Sequence, residues 1–483
     1  MKLQELLKGV RVLEMTASPE TEITDIENDS RKVRKNSLFF AISGFSTDGN
    51  RFLPMALEKG AAVIVTAKRP EIPAPYVLVE SDRLAMAQIA GNFYGNPARA
   101  MTMVGITGTN GKASSTLLLK QVLEKTRGAK VGLVGTMENL IGEEVIPTCR
   151  TTPESIELQA LFAKMRDAGC QYVVMEVSSH ALTLERVGGV HFQVAAFTNL
   201  TEDHLDFHKT MEAYCAAKAE LFRRCDKGVL NRDDHWFEEM RKDATCEILT
   251  TSVGHEAGLR AENLELRADG VAFTAVMGEK KVPVSLGIPG RFTVYNALTV
   301  LGAAVELGID LEDAAAALAT AQGVKGRVEV VPSPGQPFTV LIDYAHTPDG
   351  LENVLSSVRD FCKGRLISVF GCGGDRDPIK RPIMGKIGVQ LSDFAIITSD
   401  NPRTEDPVAI IQDIVKGVSE TDGAYTVIED RRKAIRFAMD KAQKDDIIVL
   451  AGKGHETYQE ICGVKHHLDE RGEIAAHLEE MRR

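Results

Sequence analysis

The chain of 483 residues is too long for a single hydrophobic core, and its length predicts about three domains. Its net charge of −11 argues against a nucleic-acid or anionic-membrane surface, either of which would need a basic patch. No apolar run approaches the ~20 residues of a membrane span, and the N-terminus MKLQELLKGVRVLEM lacks the features of a signal peptide. The eight cysteines form no CxxC or Cys/His cluster, which favours reduced thiols in a cytoplasmic protein without structural zinc.

The first two thirds of the chain carry two α/β patterns. Short apolar runs at 37–42 and 61–66 predict strands of a small α/β domain over residues 1–98. A second domain, over 99–327, opens with the strand-like run MTMVGIT, a Gly-rich turn and a helical pattern. It continues with the apolar runs YVVMEV and VAAFTN, and such runs separated by helices predict a mainly parallel sheet with helices on both faces.

The remaining elements complete an α/β protein of three domains. Residues 256–290 alternate in polarity and predict antiparallel strands added to the second domain. Over 328–483, four strand-like runs, FTVLIDYA, RLISVFG, FAIITSD and DIIVLAG, each lead into a polar or Gly-rich turn. Ligands of open α/β sheets bind at the carboxyl ends of strands, so these turns are expected to carry binding groups.

The segment GITGTNGKASST at 105–116 predicts a phosphate-binding loop. Gly108 and Gly111 allow close backbone approach, the helix N-terminus favours anions, and Lys112 supplies a positive charge. The usual G-x-x-x-x-G-K spacing is not met, because Ile106 stands at its first glycine, and a Gly-rich surface turn is the alternative. The nucleotide-binding residues expected here are Gly108, Thr109, Asn110, Gly111, Lys112, Ala113 and Ser114.

Ala113 stands where such loops usually carry a Ser or Thr hydroxyl that reaches Mg²⁺. A charge-assisted contact of this kind is worth roughly 1.5–3 kcal/mol, so its loss weakens an enzyme without abolishing it. Water can fill the vacant coordination position, whereas Ser114 points elsewhere on the helix. We expect an active enzyme with altered Mg²⁺ or ATP affinity; a catalytically weakened nucleotide-binding homologue is the alternative.

GITGTNGK resembles the nucleotide loop of the Mur ligase superfamily, whose pattern is G-T-N-G-K-T/S, and further blocks of that family follow in the same order. They are EVSSHAL, TNLTEDHLDFH, AYCAAKAELF, YNA, GVKGRVE, DYAHTPDGLENVL, GCGGDRD, SDNPRTEDP and AGKGHETYQ. The resemblance covers nearly the whole chain. It implies a UDP-muramoyl substrate domain at 1–98, a P-loop-type ATP-binding domain at 99–327 and a Rossmann-like amino-acid-binding domain at 328–483.

The resemblance also implies the reaction. Family members are ATP-dependent carbon–nitrogen ligases that form an amide bond through an acyl phosphate, with Mg²⁺ as cofactor. The expected substrates are UDP-N-acetylmuramoyl-L-alanyl-D-glutamate and meso-diaminopimelate, in cytoplasmic peptidoglycan precursor synthesis for cell wall biogenesis, cell shape, cell division and the cell cycle. A monomer without nucleic-acid or membrane partners is expected.

Three residues match the metal positions of the family: Glu176, His204 and Lys218, the last as a carbamate. A carboxylate at the end of an apolar strand is costly unless it is paired or metal-bound, and Glu oxygens suit Mg²⁺. On sequence alone, His204 could be an ordinary loop histidine and Lys218 a helix-surface lysine. The resemblance implies catalytic roles for Lys112, Lys218, His204 and Arg327.

Two further sets of residues match substrate contacts of the family. The positions that match ATP contacts are Asn296, Arg327, Asp343 and His346. Arg327 carries a permanent charge suited to the γ-phosphate, although an interdomain loop arginine is the alternative. The positions that match UDP-muramoyl-dipeptide contacts are Ser30, Thr151, Thr152, Ser178 and Arg186. Leu184 stands where the family often has Gln, and it cannot donate that hydrogen bond.

The tetrapeptide DNPR at 400–403 resembles the signature of family members that add meso-diaminopimelate. Arg403 and Arg376 can clamp the far carboxylate, which lysine lacks, and Glu456 would accept from the far ammonium. The implied contacts are Arg376, Asp400, Asn401, Pro402, Arg403, Gly452 and Glu456. DNPR alone is also good turn chemistry. The alternatives are the same ligase using L-lysine, a folylpolyglutamate or cyanophycin synthetase-like enzyme, and a non-catalytic nucleotide-binding scaffold.

Overall fold

The computed structural model describes residues 1–44, 48–148 and 150–482. The chain forms two compact units, one of Met1–Arg260 with Leu298–Ala314 and the other of Ala261–Ala297 with Ala315–Arg483. Among the described residues, no helix has both the length and the apolar character that crossing a membrane requires.

The first unit opens with a five-stranded sheet in the order β1-β5-β4-β3-β2, in which only β1 runs antiparallel to its neighbour. Its strands are β1 (Val12–Met15), β2 (Asp25–Glu27), β3 (Ser37–Ala41), β4 (Ala61–Thr66) and β5 (Tyr76–Val79). Its helices are α1 (Leu3–Leu6), α2 (Leu53–Glu58) and α3 (Asp82–Phe93), with 3₁₀ turns at Gly49–Phe52 and Pro97–Ala100. Successive side chains of β3 point to opposite faces, so Leu38 packs with α1 and α3, and Phe39 with α2. The predicted strands at 37–42 and 61–66 are confirmed.

An eleven-stranded sheet follows, in the order β16-β15-β14-β13-β12-β11-β6-β10-β7-β8-β9. Its strands are β6 (Thr102–Thr107), β7 (Val131–Val134), β8 (Asn139–Ile141), β9 (Glu144–Ile146), β10 (Tyr172–Glu176), β11 (Phe192–Phe197), β12 (Cys225–Asn231), β13 (Glu247–Ser252), β14 (Leu259–Arg267), β15 (Gly270–Met277) and β16 (Lys280–Leu286). The helices of this stretch are α4 (Lys112–Arg127), α5 (Ser155–Asp167), α6 (Ser179–Thr183), α7 (Leu205–His208), α8 (Met211–Ala219), α9 (Phe237–Arg241), α10 (Arg291–Glu306) and α11 (Leu311–Leu318), with a 3₁₀ turn at Glu220–Arg223.

The middle of this sheet is parallel, from β7 through β10, β6, β11 and β12 to β13. The pair β15 and β16 is antiparallel, as the alternation at 256–290 predicts. Strand β6 lies at the centre with parallel neighbours on both sides. Its carboxyl end therefore delivers the loop at 108–111, the predicted nucleotide loop, to the middle of the sheet edge, where ligands of such sheets bind.

The second unit is built on a six-stranded sheet in the order β17-β18-β22-β19-β20-β21, in which only β17 is antiparallel. Its strands are β17 (Glu329–Val331), β18 (Thr339–Asp343), β19 (Leu366–Phe370), β20 (Phe394–Ile397), β21 (Tyr425–Val427) and β22 (Ile447–Ala451), followed by the hairpin β23 (Tyr458–Ile461) and β24 (Val464–His467). Its helices are α12 (Pro348–Arg359), α13 (Lys380–Leu391), α14 (Pro407–Val418), α15 (Arg431–Lys441) and α16 (Glu470–Met481). Helices α12 to α14 pack on one face and α15 and α16 on the other, which confirms the predicted Rossmann-like architecture.

Candidate active site

The nucleotide loop is held in place by the segment that follows β11. The amide of Thr109 donates to the carbonyl of Asn199 at 2.8 Å, and the amide of Asn110 donates to Asn199 Oδ1 at 3.0 Å. Thr198 Oγ1 donates to the carbonyl of Asn110 at 2.6 Å. Gly108 has a φ of +145°, and a Cβ there would stand 1.9 Å from Thr198 Oγ1. Only glycine fits this position, because both the backbone angle and the close approach exclude a side chain.

Lys112 is the first residue of α4 and folds back over its own loop. Its Nζ donates to the carbonyls of Gly108 at 3.0 Å and Thr109 at 2.9 Å. Burial lowers the pKa of Lys112, and the nearby Glu176 carboxylate acts in the opposite direction. The ammonium therefore stands where it can exchange these carbonyls for phosphate oxygens. Ala113 and Ser114 follow, half-buried, on the first turn of the helix.

Lys218 on α8 is 1% exposed, so its alternative interpretation as a helix-surface lysine is wrong. The helix packs against the nucleotide loop, and Lys218 Nζ donates to the carbonyl of Gly108 at 2.8 Å. The ammonium also lies 4.6 Å from the ring centroid of Tyr214, whose hydroxyl is 3.2 Å from Thr109 Oγ1. Burial and the charge of Lys112 lower the pKa of Lys218 far below its usual range, so its neutral amine is readily accessible.

Glu176 ends β10 and is 2% exposed. Its carboxylate is satisfied by Thr136, which donates its amide to Oε1 at 2.7 Å and its hydroxyl to Oε2 at 3.0 Å. The described residues contain no group of three or more His, Cys, Asp or Glu side chains suited to hold a metal ion. A single buried carboxylate still suits Mg²⁺, which is usually held by one or two carboxylates together with substrate phosphates and water.

His204 lies beside two other histidines that sequence analysis did not single out. It has a φ of +53°, its side chain is 47% exposed, and its ring centroid is 4.9 Å from that of His180. His208 Nε2 lies 2.8 Å from Ser179 Oγ, and burial lowers the pKa of His208 to about 4. His208 is therefore neutral near pH 7. The signal was present in the sequence, because both histidines belong to the blocks EVSSHAL and TNLTEDHLDFH.

Four of the five residues expected to contact the UDP-muramoyl-dipeptide come together beyond the end of β10. Thr152 Oγ1 donates to the carbonyl of Glu176 at 2.9 Å and accepts from the amide of Ser178 at 3.2 Å. Arg186 Nη1 donates to the carbonyl of Thr152 at 3.1 Å. The Thr151 hydroxyl joins the same network, 3.0 Å from that of Thr136, which binds Glu176.

Glu154 links this network to helix α3 of the N-terminal part of the first unit. Its Oε1 lies 2.8 Å from Arg186 Nη2, and its Oε2 lies 3.6 Å from Arg83 Nη1 on α3. A cleft of about 380 Å³ beside them is lined by residues that include Asn28, Asp29, Lys32, Phe52, Arg83 and Arg150. Ser30, the fifth expected residue, is 6% exposed and donates its hydroxyl to Met55 Sδ at 3.4 Å.

In the second unit, Asp343 at the end of β18 holds the turn that carries Arg327. Its Oδ2 accepts from the amide of Val328 and its Oδ1 from that of Ala345, both at 2.8 Å. Burial raises the pKa of Asp343, and these two amides and Arg327 act against that shift. Arg327 itself is exposed, with its guanidinium 5.5 Å from the ring centroid of Tyr344.

The turn at 326–327 packs closely against the GKGHE loop. Gly326 has a φ of +71°, and a Cβ there would stand 2.3 Å from the carbonyl carbon of Gly454. The next expected residue, His346, is exposed, with Nδ1 2.8 Å from the carbonyl of Tyr344. Asn296 lies on α10 and is 5% exposed. Arg327, Asp343 and His346 thus lie together at one edge of the six-stranded sheet.

The loops that carry Arg403 and Arg376 interlock. Arg403 has a φ of +52°, and its Nη1 donates to the carbonyl of Gly374 at 2.7 Å, with Glu460 Oε2 3.5 Å from its Nε. A Cβ on Gly374 would stand 2.0 Å from the carbonyl oxygen of Pro402. Arg376 extends into solvent from the same glycine-rich loop. The chain therefore brings two guanidinium groups to one loop cluster.

The GKGHE loop joins that cluster from the other side. Glu456 Oε2 accepts from Asn401 Nδ2 at 2.9 Å and from Lys453 Nζ at 3.0 Å. Gly452 has a φ of +116°, and a Cβ there would stand 2.5 Å from Asp400 Oδ2. All seven residues expected to bind the amino acid thus lie in neighbouring loops. Lys453, in the same loop, is fully buried and was not among the residues predicted from the sequence.

The structure combines a parallel sheet, whose central loop carries a lysine suited to phosphate, with a Rossmann-like unit that has polar loops at its strand ends. Mur ligases have this arrangement, and the chain belongs to the Mur ligase family. Residues 22–94 match the model described as Mur ligase family, catalytic domain, residues 106–304 the Mur ligase middle domain, and residues 326–454 the Mur ligase, glutamate ligase domain. The family resemblance of the sequence motifs is confirmed.

Relatives similar over the full chain carry a more specific name. The UDP-N-acetylmuramoyl-L-alanyl-D-glutamate–2,6-diaminopimelate ligase of Clostridium tetani is 48% identical, with 100% of both chains covered. The ligase of that name from Bacillus cereus is 43% identical, covering 98% of this chain and 97% of the relative. A solved structure of a ligase with the same name has a TM-score of 0.80 at 31% identity, covering 100% of this chain and 99% of the other. A Thermotoga maritima MurF ligase solved in complex with ADP shares the fold, with a TM-score of 0.57 at 17% identity. The match covers 96% of this chain and 99% of the other.

Proposed function

We propose that this Mur ligase adds meso-diaminopimelate to UDP-N-acetylmuramoyl-L-alanyl-D-glutamate and converts ATP to ADP and phosphate. The proposal depends above all on the interlocked loops of Arg403 and Arg376, in a chain whose full-length relatives bear the name of that ligase. Lysine has no far carboxylate and could not use two guanidinium groups there. We place the enzyme in the cytoplasm as a monomer, acting in cell wall biogenesis and thereby in cell shape and division.

The first unit binds the acceptor and the nucleotide phosphates. Arg186, Thr152 and Ser178 bind and orient the muramoyl-dipeptide, because their polar groups already form one network. ATP supplies a γ-phosphoryl group to the D-glutamate carboxylate, which becomes an acyl phosphate. Lys112 and the loop amides hold phosphate oxygens, and Arg327 neutralises charge on the transferred group.

Glu176 and His204 are proposed to hold Mg²⁺, which neutralises phosphate charge when it is bound. Lys218 joins them only as a carbamate, because an ammonium repels a cation. The neutral amine of Lys218 attacks carbon dioxide, so that an N–C bond forms while one C=O π bond breaks and its electrons move to oxygen. The nitrogen then loses one proton to solvent. The lowered pKa of this buried lysine supports that step, since only the neutral amine is nucleophilic.

The second unit presents the amino acid. Arg403 and Arg376 bind its far carboxylate, and Glu456 accepts from its far ammonium, while Asp400, Asn401, Pro402 and Gly452 shape the turn. The reacting amine then attacks the acyl phosphate, the N–C bond forms, and phosphate leaves with the electrons of the C–O bond. The nitrogen loses one proton to solvent to give the neutral amide. Fixed orientation of both substrates supplies a large part of the acceleration in such a reaction, and the charges around the phosphates supply the rest.

Phosphate release tests the proposal directly. Reactions contain ATP, Mg²⁺ and the UDP-muramoyl-dipeptide, with meso-diaminopimelate, L-lysine or no amino acid. We expect release only with diaminopimelate. Release with lysine alone would retain the ligase and refute the role given to Arg403. ATP binding without phosphate release under any condition would favour a weakened homologue and attribute the defect to Ala113.

A further inference from the structure

A group of five charged side chains lies in and beneath the DNPR and GKGHE loops: Asp400, Glu456, Lys453, Arg431 and Glu470. The last three have no part in the chemistry described above. Lys453 and Glu470 are fully buried, and Arg431 is 1% exposed. Charged side chains are almost never buried to this extent unless they are paired, because their removal from water is costly. The partners of these three residues therefore indicate what they do.

Lys453 fixes one oxygen of Glu456. Its Nζ donates to Glu456 Oε2 and to Asn401 Oδ1, both at 3.0 Å, and lies 3.9 Å from Asp400 Oδ1. Asn401 Nδ2 donates to the same Oε2 at 2.9 Å. Oε2 therefore has two donors from two loops. In the described part of the chain, Oε1 of Glu456 takes part in no hydrogen bond.

Arg431 lies beside both loops and contacts Glu470, Ala451 and Asp400. Its Nε donates to Glu470 Oε1 at 2.8 Å and its Nη2 donates to the carbonyl of Ala451, at the end of β22, at 2.9 Å. Its Nη1 lies 3.9 Å from Asp400 Oδ2, and neither atom has a hydrogen-bond partner among the described residues. Arg431 thus anchors the base of the GKGHE loop while facing the DNPR turn.

The charges of this group do not balance. Asp400, Glu456 and Glu470 are three carboxylates, and Lys453 and Arg431 are two cations, so the fully ionised group carries a net charge of −1. An uncompensated charge at such a buried place is unfavourable. It is relieved either by a proton on Glu470, whose pKa is raised by burial, or by one further cation. An ammonium at Glu456 Oε1 would be that cation.

We propose that Lys453 is a positioning residue for amino-acid recognition, which holds Oε2 of Glu456 so that Oε1 faces the far ammonium of the amino acid. The inference rests on the proposed function, because meso-diaminopimelate brings that ammonium. A carboxylate fixed in advance loses little conformational freedom when the ligand arrives, which favours binding of the correct amine.

The test compares Lys453→Met with the wild type on two amino acids: meso-diaminopimelate and L-2-aminopimelate, which has the far carboxylate but lacks the far ammonium. We expect the KM for diaminopimelate to rise about tenfold to a hundredfold in the variant, because one charge-assisted hydrogen bond is worth roughly this factor. The kcat/KM for the analogue should fall less than about threefold, and the KM for ATP should stay within about twofold.

Lys120→Met is the matched control. Lys120 is 3% exposed and pairs with Glu124 at 2.7 Å on α4, in the other unit. Its loss should lower the melting temperature while leaving both amino-acid KM values unchanged. Lys453→Gln keeps one hydrogen-bond donor without the charge, and it serves as the second variant if the methionine variant does not fold.

Equal losses of kcat/KM with diaminopimelate and with its analogue would overturn the proposal. A lower kcat at an unchanged KM for diaminopimelate would also overturn it, because either result indicates a purely structural lysine. Failure of the proposed function gives a different result, because the wild type itself then rejects diaminopimelate. If the wild type uses L-lysine, the same comparison is made with lysine and norleucine, and a selective loss with lysine would sustain the role of Lys453.

Discussion

Two lysines, one from α4 and one from α8, donate to the same carbonyl of Gly108. Lys112 Nζ lies at 3.0 Å and Lys218 Nζ at 2.8 Å from that oxygen. Two ammonium groups so close repel each other, and the pKa of Lys218 falls partly for this reason. The carbonyl of Gly108 thus accepts from both the lysine proposed to bind phosphate and the lysine proposed to be modified.

Gly108→Ala should abolish most activity without unfolding the protein. A Cβ would stand 1.9 Å from Thr198 Oγ1 at a φ of +145°, so the loop must move away from the segment after β11. We expect kcat/KM for ATP to fall at least about a hundredfold, measured by phosphate release. Gly128→Ala is the control, because Gly128 also has a positive φ but open space around its Cβ position. Equal activity losses in both variants would show that the close approach at 108 is unimportant.

Ala113→Thr restores the hydroxyl that the loop lacks. We expect the Mg²⁺ concentration for half-maximal rate, or the KM for ATP, to fall about tenfold, because the hydroxyl adds one ligand or hydrogen bond. Ala113→Val has nearly the same shape without the hydroxyl and should bring no improvement. An unchanged Mg²⁺ and ATP dependence in Ala113→Thr would show that water already replaces the hydroxyl fully.

At the scale of elements, the binding groups of the second unit are brought together by loops that follow β19, β20 and β22. Parallel strands end at the same sheet edge, so loops distant in sequence become neighbours there. Glycines make the contact possible, since the backbone of Gly374 reaches that of Pro402 and Gly452 reaches Asp400. The proposed specificity for the amino acid therefore depends on backbone approach as much as on the arginines.

Gly374→Ala should separate the two arginine loops. Its Cβ would stand 2.0 Å from the carbonyl oxygen of Pro402, a backbone atom that cannot rotate away. We expect the KM for diaminopimelate to rise at least about tenfold while the KM for ATP stays within about twofold. Gly472→Ala on α16 is the control, because the nearest atom to its Cβ position is 3.9 Å away. An unchanged diaminopimelate KM would contradict the role of the interlock.

For the whole molecule, the domain boundary proposed at residue 328 predicts that 328–483 folds alone. Both faces of its sheet are covered by its own helices, with Leu341 on the α12 to α14 side and Ile448 on the α15 and α16 side. Leu266 also packs against this core, so the fragment should unfold cooperatively at a lower temperature than the unit in the full chain. Thermal unfolding followed by circular dichroism tests this, and a non-cooperative transition would place the boundary elsewhere.

The sequence alone determined the α/β class, the positions of the central strands and the family. Strands such as β6 and β10 can be predicted from the apolar residues within each segment. The motifs are short contiguous stretches, so their chemistry can be inferred from the residues themselves. The glycines of the predicted nucleotide loop and the DNPR tetrapeptide could be assigned expected roles in the same way, because each lies within one short stretch of sequence. The expected dipeptide contacts at 151, 152, 178 and 186 also meet in one network.

Only the tertiary structure decided which charged residues are buried and which loops meet. Lys218 has the sequence context of a surface helix position, yet packing of α8 on the nucleotide loop buries it. Lys453 and Asn401 are 52 residues apart in sequence, and no local pattern joins them. Burial, pKa and hydrogen-bond partners depend on atoms supplied by distant parts of the chain, so they become defined only when the sheets and their loops assemble.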